Sequence, residues 1–310
     1  MKAKVIKSTG SWYVCQAEDG SLINARIKGK FRLKGLKTTN PIAVGDEVVL
    51  DKEEGLNTYM ISKIEERKNY VIRRSPRNFY KQHIIASNLD QLFLVITMRM
   101  PRTSTGFIDR MLLIAEMHHI PTVLIVNKRD IYKEKDLERF EQIKATYNNI
   151  GYGIRLVSAQ DKKDIELLQN DLVDKTTLFA GHSGVGKSTL INQLIPGLDL
   201  TTRELSTYTD KGTHTTTFAE MYPLPNGGYI VDTPGIKELE AVHIEPEEVS
   251  HYFVEMQEKM QDCKFNNCLH RNEPKCAILA ALETGEIALS RYESYLKIVD
   301  GISATDYWER

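Results

Sequence analysis

The chain has 310 residues, 41 % of them hydrophobic, and its 41 Lys and Arg against 42 Asp and Glu leave a formal net charge of −1. No apolar run approaches a membrane span, the N-terminus has no leader-like apolar core, and four cysteines, three of them crowded together, do not make a disulfide framework. A cytoplasmic protein of two or three domains that acts as a monomer is expected, with no membrane partner.

Residues 1–70 read as five short strands, Lys4–Ser8, Trp12–Ala17, Ser21–Ile27, Asp46–Leu50 and Tyr59–Ile64, punctuated at Asp19-Gly20 and Gly45-Asp46. Five strands in that length predict a small closed barrel of the oligonucleotide-binding (OB) type. Residues 26–37 gather Arg26, Lys28, Lys30, Arg32, Lys34 and Lys37 with no acid among them, around Phe31 and near Trp12 and Tyr13. Such a run is either an electrostatic footprint for structured RNA or a solvated basic loop. A polar connector, Arg73 to Asn78, then leads to Ile84–Gln91.

From there strands and helices alternate: strand Leu92–Thr97, helix Ile108–Met117, strand Thr122–Val126, helix Leu137–Tyr147, strand Ile154–Val157, helix Ile165–Val173. The fold class predicted is α/β, a doubly wound nucleotide-binding domain over 71–240, preceded by the barrel at 1–70 and followed by a helical segment at 241–310. After Val126 comes Asn127-Lys128-Arg129-Asp130. The Asp130 carboxylate can accept from both N1–H and the exocyclic amine of guanine, a donor pair adenine lacks. Asn127 and Lys128 would tie this loop to the phosphate site, and Ser158-Ala159 would close over the guanine O6.

The stretch Gly181-His182-Ser183-Gly184-Val185-Gly186-Lys187-Ser188, with Thr189 opening the helix, follows the apolar run Thr177–Ala180. It has the strand, glycine-rich loop and helix order of a P-loop, whose backbone N–H groups cradle phosphates. Lys187 would reach the β- and γ-phosphates and Ser188 would ligate Mg²⁺. The hydroxyl-rich stretch Thr213-His214-Thr215-Thr216-Thr217 suits a switch loop, and Asp232-Thr233-Pro234-Gly235 after Tyr229–Val231 offers a carboxylate to the Mg²⁺ shell and an N–H to the γ-phosphate. The guanine motifs precede the P-loop, the reverse of ordinary GTPases, so the domain is circularly permuted. Where Ras-type enzymes carry a water-orienting Gln, this chain has Ile236, leaving His214 as first candidate for the catalytic group and His182 as second.

The last segment, with helices predicted at Pro246–Met260, Cys276–Leu282 and Ile287–Val299, holds Cys263, Cys268, His270 and Cys276. Three thiolates and one imidazole within so short a loop can close a tetrahedral structural zinc site.

Barrel, permuted GTPase motifs and Cys-Cys-His-Cys segment together resemble the bacterial small-ribosomal-subunit-dependent GTPase A family, RsgA, also called YjeQ or YloQ. The resemblance spans essentially the whole chain. It implies GTP hydrolysis to GDP and phosphate, with Mg²⁺ and one structural Zn²⁺, on binding the small ribosomal subunit and its rRNA late in maturation. It also favours His214 as catalytic, beside Lys187. By its residues alone the chain could instead be a GTPase, or a GTP-gated binding module, acting on another structured RNA such as tRNA.

Overall fold

The computed structural model describes residues 1–10, 12–27, 41–53, 58–75, 78–200, 219–232 and 244–309. Five strands, β1 (Lys2–Ser8), β2 (Tyr13–Ala17), β3 (Leu22–Ile27), β4 (Glu47–Lys52) and β5 (Tyr59–Ile64), pair in the order β1-β2-β3-β5-β4, and β4 returns to β1. This closes the expected barrel. Their alternation places Val5, Tyr13, Cys15, Ala25, Val48, Leu50 and Ile61 inside, all nearly inaccessible. Beneath the barrel the buried Asp46 carboxylate is matched by Arg67, at 2.6 Å from both guanidinium contacts, and by the Ser87 hydroxyl at 2.6 Å.

The segment read as a connector is instead a hairpin, β6 (Tyr70–Ser75) against β7 (Asn78–Ser87). The basic, polar run between them hid the strand period; the described core contacts of the hairpin lie at its open end, Val71, Ile72, Ile84 and Ala86.

Beyond it, β8 (Gln91–Ile96), β9 (Thr122–Val126), β10 (Gly153–Leu156), β11 (Thr176–Ala180) and β13 (Tyr229–Asp232) form a parallel sheet in the order β10-β9-β8-β11-β13. A short antiparallel strand, β12 (Glu220–Pro223), absent from the sequence reading, follows β13 and pairs with β1 at Glu220 and Lys7. Through that pairing the barrel and the parallel sheet are continuous, and Lys7–Glu220 (2.7 Å) and the Tyr229 hydroxyl on Gln16 (2.7 Å) strengthen the seam.

Helices α1 (Thr105–Met117) and α2 (Glu134–Asn149), and α3 (Lys162–Leu172) and α4 (Lys187–Leu194), cover the sheet. Strand β8 shows why both faces are needed. Leu92, Leu94 and Ile96 pack with α1 in one cluster, whereas Phe93 and Val95 pack with α3 and α4 in another.

The C-terminal segment holds α5 (Val254–Gln257), α6 (Ala277–Glu283) and α7 (Leu289–Glu309). The single helix expected at Pro246–Met260 is broken: a 3-10 turn over Pro246–Tyr252 precedes α5, and Phe253 between them is extended (φ −103°, ψ 103°) and fully buried. Burying Phe253 outweighs continuing the helix. Phe253, Met256, Ile278, Tyr295 and Val299 share one core with Met111 and Leu112 of α1, so this segment builds on α1 rather than on a core of its own.

Candidate active site and metal centre

The functional loops leave the C-terminal ends of β8, β9, β10, β11 and β13, where a doubly wound sheet places its ligand. The phosphate loop turns through glycines that the fold requires. At Gly181 (φ +157°) a Cβ would lie 2.5 Å from the Val95 carbonyl oxygen, and at Gly186 (φ +88°) 2.5 Å from the Asn127 amide nitrogen. Gly186 caps α4, so Lys187, Ser188 and Thr189 form its first turn, where the helix N-terminus favours anions. The Val185 side chain is buried in the core.

The Lys187 ammonium makes an ion pair with Asp232 at the end of β13. The cation expected on phosphate and the carboxylate expected at Mg²⁺ therefore stand face to face. A bound phosphate chain and cation would part this pair and satisfy each partner.

Asn127, 1 % exposed, joins three loops: its amide donates to the Val185 carbonyl (2.9 Å) and its carbonyl accepts from the Ala159 N–H (3.2 Å). Lys128 adopts a left-handed backbone (φ +68°) and its ammonium bonds the Met100 carbonyl at 2.6 Å. The Asp130 carboxylate accepts from the Ser158 hydroxyl at 2.6 Å, and the Ser158 N–H is held by Asp164 at 2.8 Å. Asp164 and Asp161 are in turn bridged by Arg129. The sequence motifs at 127–130, 158–159, 181–189 and 232 thus converge on one site. His214, Thr215, Thr216 and Gly235 lie outside the described residues, as does the basic run from Lys28 onward; Arg26 ion-pairs with Glu53 at 2.7 Å.

Cys263, Cys268, His270 and Cys276 bring their ligand atoms within 4.8 Å of one another. The His270 Nδ1 lies 3.7 Å from the Cys263 sulfur and 3.4 Å from that of Cys276, and those two sulfurs are 4.0 Å apart. A tetrahedral zinc with sulfur at about 2.3 Å and nitrogen at about 2.0 Å separates its ligand atoms by roughly 3.5–3.8 Å, so the donor set fits the ion. Burial pushes the Cys268 thiol up to about 12 and the Cys276 thiol above its ordinary value, a cost that a divalent cation would offset. The loop is held from outside the donor set. Glu273 accepts N–H bonds from Leu269, Arg271 and Asn272 at 2.7–3.0 Å, and the Tyr292 and Tyr295 hydroxyls of α7 donate to the His270 and Leu269 carbonyls.

Sequence reasoning missed a polar cluster at the junction of the segments. Arg291 of α7, buried under α1, donates to Asp109 of α1 (2.8 Å) and to both oxygens of Glu255 of α5 (2.6 and 2.9 Å), with the Phe253 ring 4.4 Å from its guanidinium carbon. Tyr147 of α2 donates to the same Asp109 at 2.6 Å. Arg291 and Asp109 are 182 positions apart, and no local periodicity relates them.

With its guanine-side strands β9 and β10 earlier in the chain than the phosphate-loop strand β11, the fold is that of a circularly permuted P-loop GTPase. The RsgA GTPase family model matches residues 64–242 and the RsgA N-terminal domain model residues 2–60. The chain is 49 % identical over 301 residues to the small ribosomal subunit biogenesis GTPase RsgA of Bacteroides fragilis (97 % of this chain, 96 % of that one). It is 51 % identical over 303 residues to the protein of that name from Christiangramia forsetii, with the same coverage. Among solved structures it resembles YjeQ from Thermotoga maritima (TM-score 0.80, 37 % identity, 97 % and 98 % of the two chains) and YloQ, a circularly permuted GTPase (TM-score 0.75, 31 % identity, 98 % and 95 %). The chain belongs to the RsgA GTPase family, whose members hydrolyse GTP. Among the described residues no helix is long and apolar enough to cross a membrane.

Proposed function

We propose that the protein is a cytoplasmic, monomeric GTPase that binds the small ribosomal subunit and its rRNA late in maturation and hydrolyses GTP in response. The observation that carries the nucleotide part is the convergence of Asn127, Asp130, Ser158 and the 181–189 loop through direct hydrogen bonds; near-full-length identity to proteins named for small-subunit biogenesis supports the partner. In this reading Asp130 trades its Ser158 bond for the N1–H and amine of guanine, and Ala159 faces O6. Asn127 keeps the base loop in register with the phosphate loop.

The amides of 183–188 cradle the β-phosphate, and Lys187 leaves Asp232 to neutralise charge that builds between β- and γ-phosphates. Ser188, with Asp232 nearby, would hold Mg²⁺, which would supply electrostatic stabilisation of the charge developing on the GDP leaving group. Gly235 and Thr215 or Thr216 bond the γ-phosphate, and His214 orients the attacking water in place of the Gln that Ile236 replaces. Cys263, Cys268, His270 and Cys276 would hold one Zn²⁺ in a structural role, since four protein donors would leave it no open position. The domain limits that go with this reading are 1–70 for the barrel, 71–240 for the GTPase and 241–310 for the zinc segment.

A His214→Ala variant tests the catalytic assignment: it is expected to retain GTP binding and lose about 100-fold or more of ribosome-stimulated turnover. Full stimulated turnover in that variant would refute it.

A further inference from the structure

Residues 97–104, between β8 and α1, form a wall of the nucleotide site that none of the GTPase motifs contains. Pro101 lies against Gly184, 3.2 Å from where its Cβ would stand, and the Met100 carbonyl receives Lys128. Within this wall Thr103 is 1 % exposed and fixed on every backbone side. Its N–H donates to the Thr97 carbonyl (2.9 Å) and its carbonyl accepts from Arg139 (2.8 Å). Its hydroxyl oxygen accepts the Thr97 N–H at 3.0 Å, and the His182 Nε2 stands 2.7 Å away.

The Ser183 carbonyl can only accept, so Nδ1 carries a proton and donates to it at 3.1 Å, and the neutral ring then accepts the Thr103 hydroxyl proton at Nε2. The Phe107 ring meets the imidazole edge-on at 5.2 Å and closes the third side. Both ring nitrogens of His182 are engaged, which speaks against its orienting a water.

We propose that Thr103 is a positioning residue for nucleotide binding: through His182 it fixes the backbone at 182–183, where the phosphate loop turns its N–H groups inward. The proposal rests on the GTP-binding reading of the site and adds to it a residue outside the phosphate loop. A preset loop spends none of its binding energy on being ordered, so the contribution belongs to affinity and not to the chemical step.

The test compares GDP and GTP affinity and steady-state turnover for the full chain and four variants. Thr103→Val keeps the shape and removes the hydroxyl; it is expected to weaken nucleotide binding about five- to tenfold with kcat within about twofold of wild type. Thr103→Ser restores the hydroxyl and is expected to bind within about twofold of wild type. His182→Ala should lose the same factor as Thr103→Val, and the double variant no more than either, because the two act as one unit. His182 is only half-buried, so His182→Ala carries the test should Thr103→Val not fold. Wild-type affinity in Thr103→Val or His182→Ala, failure of Ser to rescue, or multiplied losses in the double variant would overturn the role of Thr103 while leaving GTP binding intact. Absence of GTP binding by the wild-type chain would overturn the nucleotide reading itself.

Discussion

Removing the Arg291 cation would expose the energetics of the segment junction. Its guanidinium makes three charge-assisted bonds of 2.6–2.9 Å to Asp109 and Glu255, and the exposures of the three side chains are 2 %, 0 % and 5 %. Arg291→Met keeps much of the apolar stem against Phe253 but leaves two buried carboxylates without their cation, at a cost of about 3–5 kcal/mol. In the intact protein burial already holds the Asp109 carboxyl above its ordinary range, even with Arg291 and Tyr147 lowering it.

Without the cation the Asp109 carboxyl would be raised further above its unfolded value. A carboxyl raised on folding costs stability above its folded pKa, and the cost fades as pH falls toward the unfolded pKa. Urea denaturation followed by circular dichroism should therefore show a large loss for Arg291→Met near about pH 8 and a smaller one near about pH 5. The triple change Arg291→Met, Asp109→Asn, Glu255→Gln should recover most of the loss, since it removes the buried charges together. A loss under about 1 kcal/mol, or one independent of pH and not relieved by the triple change, would refute this account of the cluster.

Two further changes probe the remaining sites. Asp130→Asn replaces an acceptor pair with a mixed donor and acceptor, and should weaken GTP binding roughly fiftyfold while leaving ATP binding unchanged, as competition binding would measure; equal GTP affinity would remove Asp130 from the base pocket. Cys276→Ser, or treatment with a strong chelator, should release one zinc per chain by metal analysis and lower the thermal midpoint of the C-terminal helices; a chain that is fully folded and metal-free from the start would contradict the structural zinc.

Much of this architecture is legible along the chain because its signals are local. Short runs broken at Asp19-Gly20 and Gly45-Asp46 mark the barrel strands, glycines at 181, 184 and 186 mark the tight turn between β11 and α4, and a cysteine spacing marks the loop that gathers three thiols and an imidazole. What stayed hidden depends on pairing at a distance. Strand β12 has four residues and no period of its own, and it exists because β13 and β1 flank it. The break at Phe253 reflects a tertiary pocket and not a helix-breaking residue. Thr103 and Arg291 look like ordinary loop and helix-surface residues until folding brings His182 beside one and two carboxylates beside the other.

The sheet joins the site to the barrel. Asp232, the partner of Lys187, ends β13; β13 pairs with β12, and β12 with β1 of the barrel.

The most direct test of the central claim is GTP turnover by the purified protein alone, with small ribosomal subunits, and with large ones. Slow turnover alone and strong acceleration by the small subunit only is the predicted result. Equal rates in all three mixtures, with GTP binding intact, would contradict a small-subunit-dependent GTPase and leave the nucleotide chemistry without that partner.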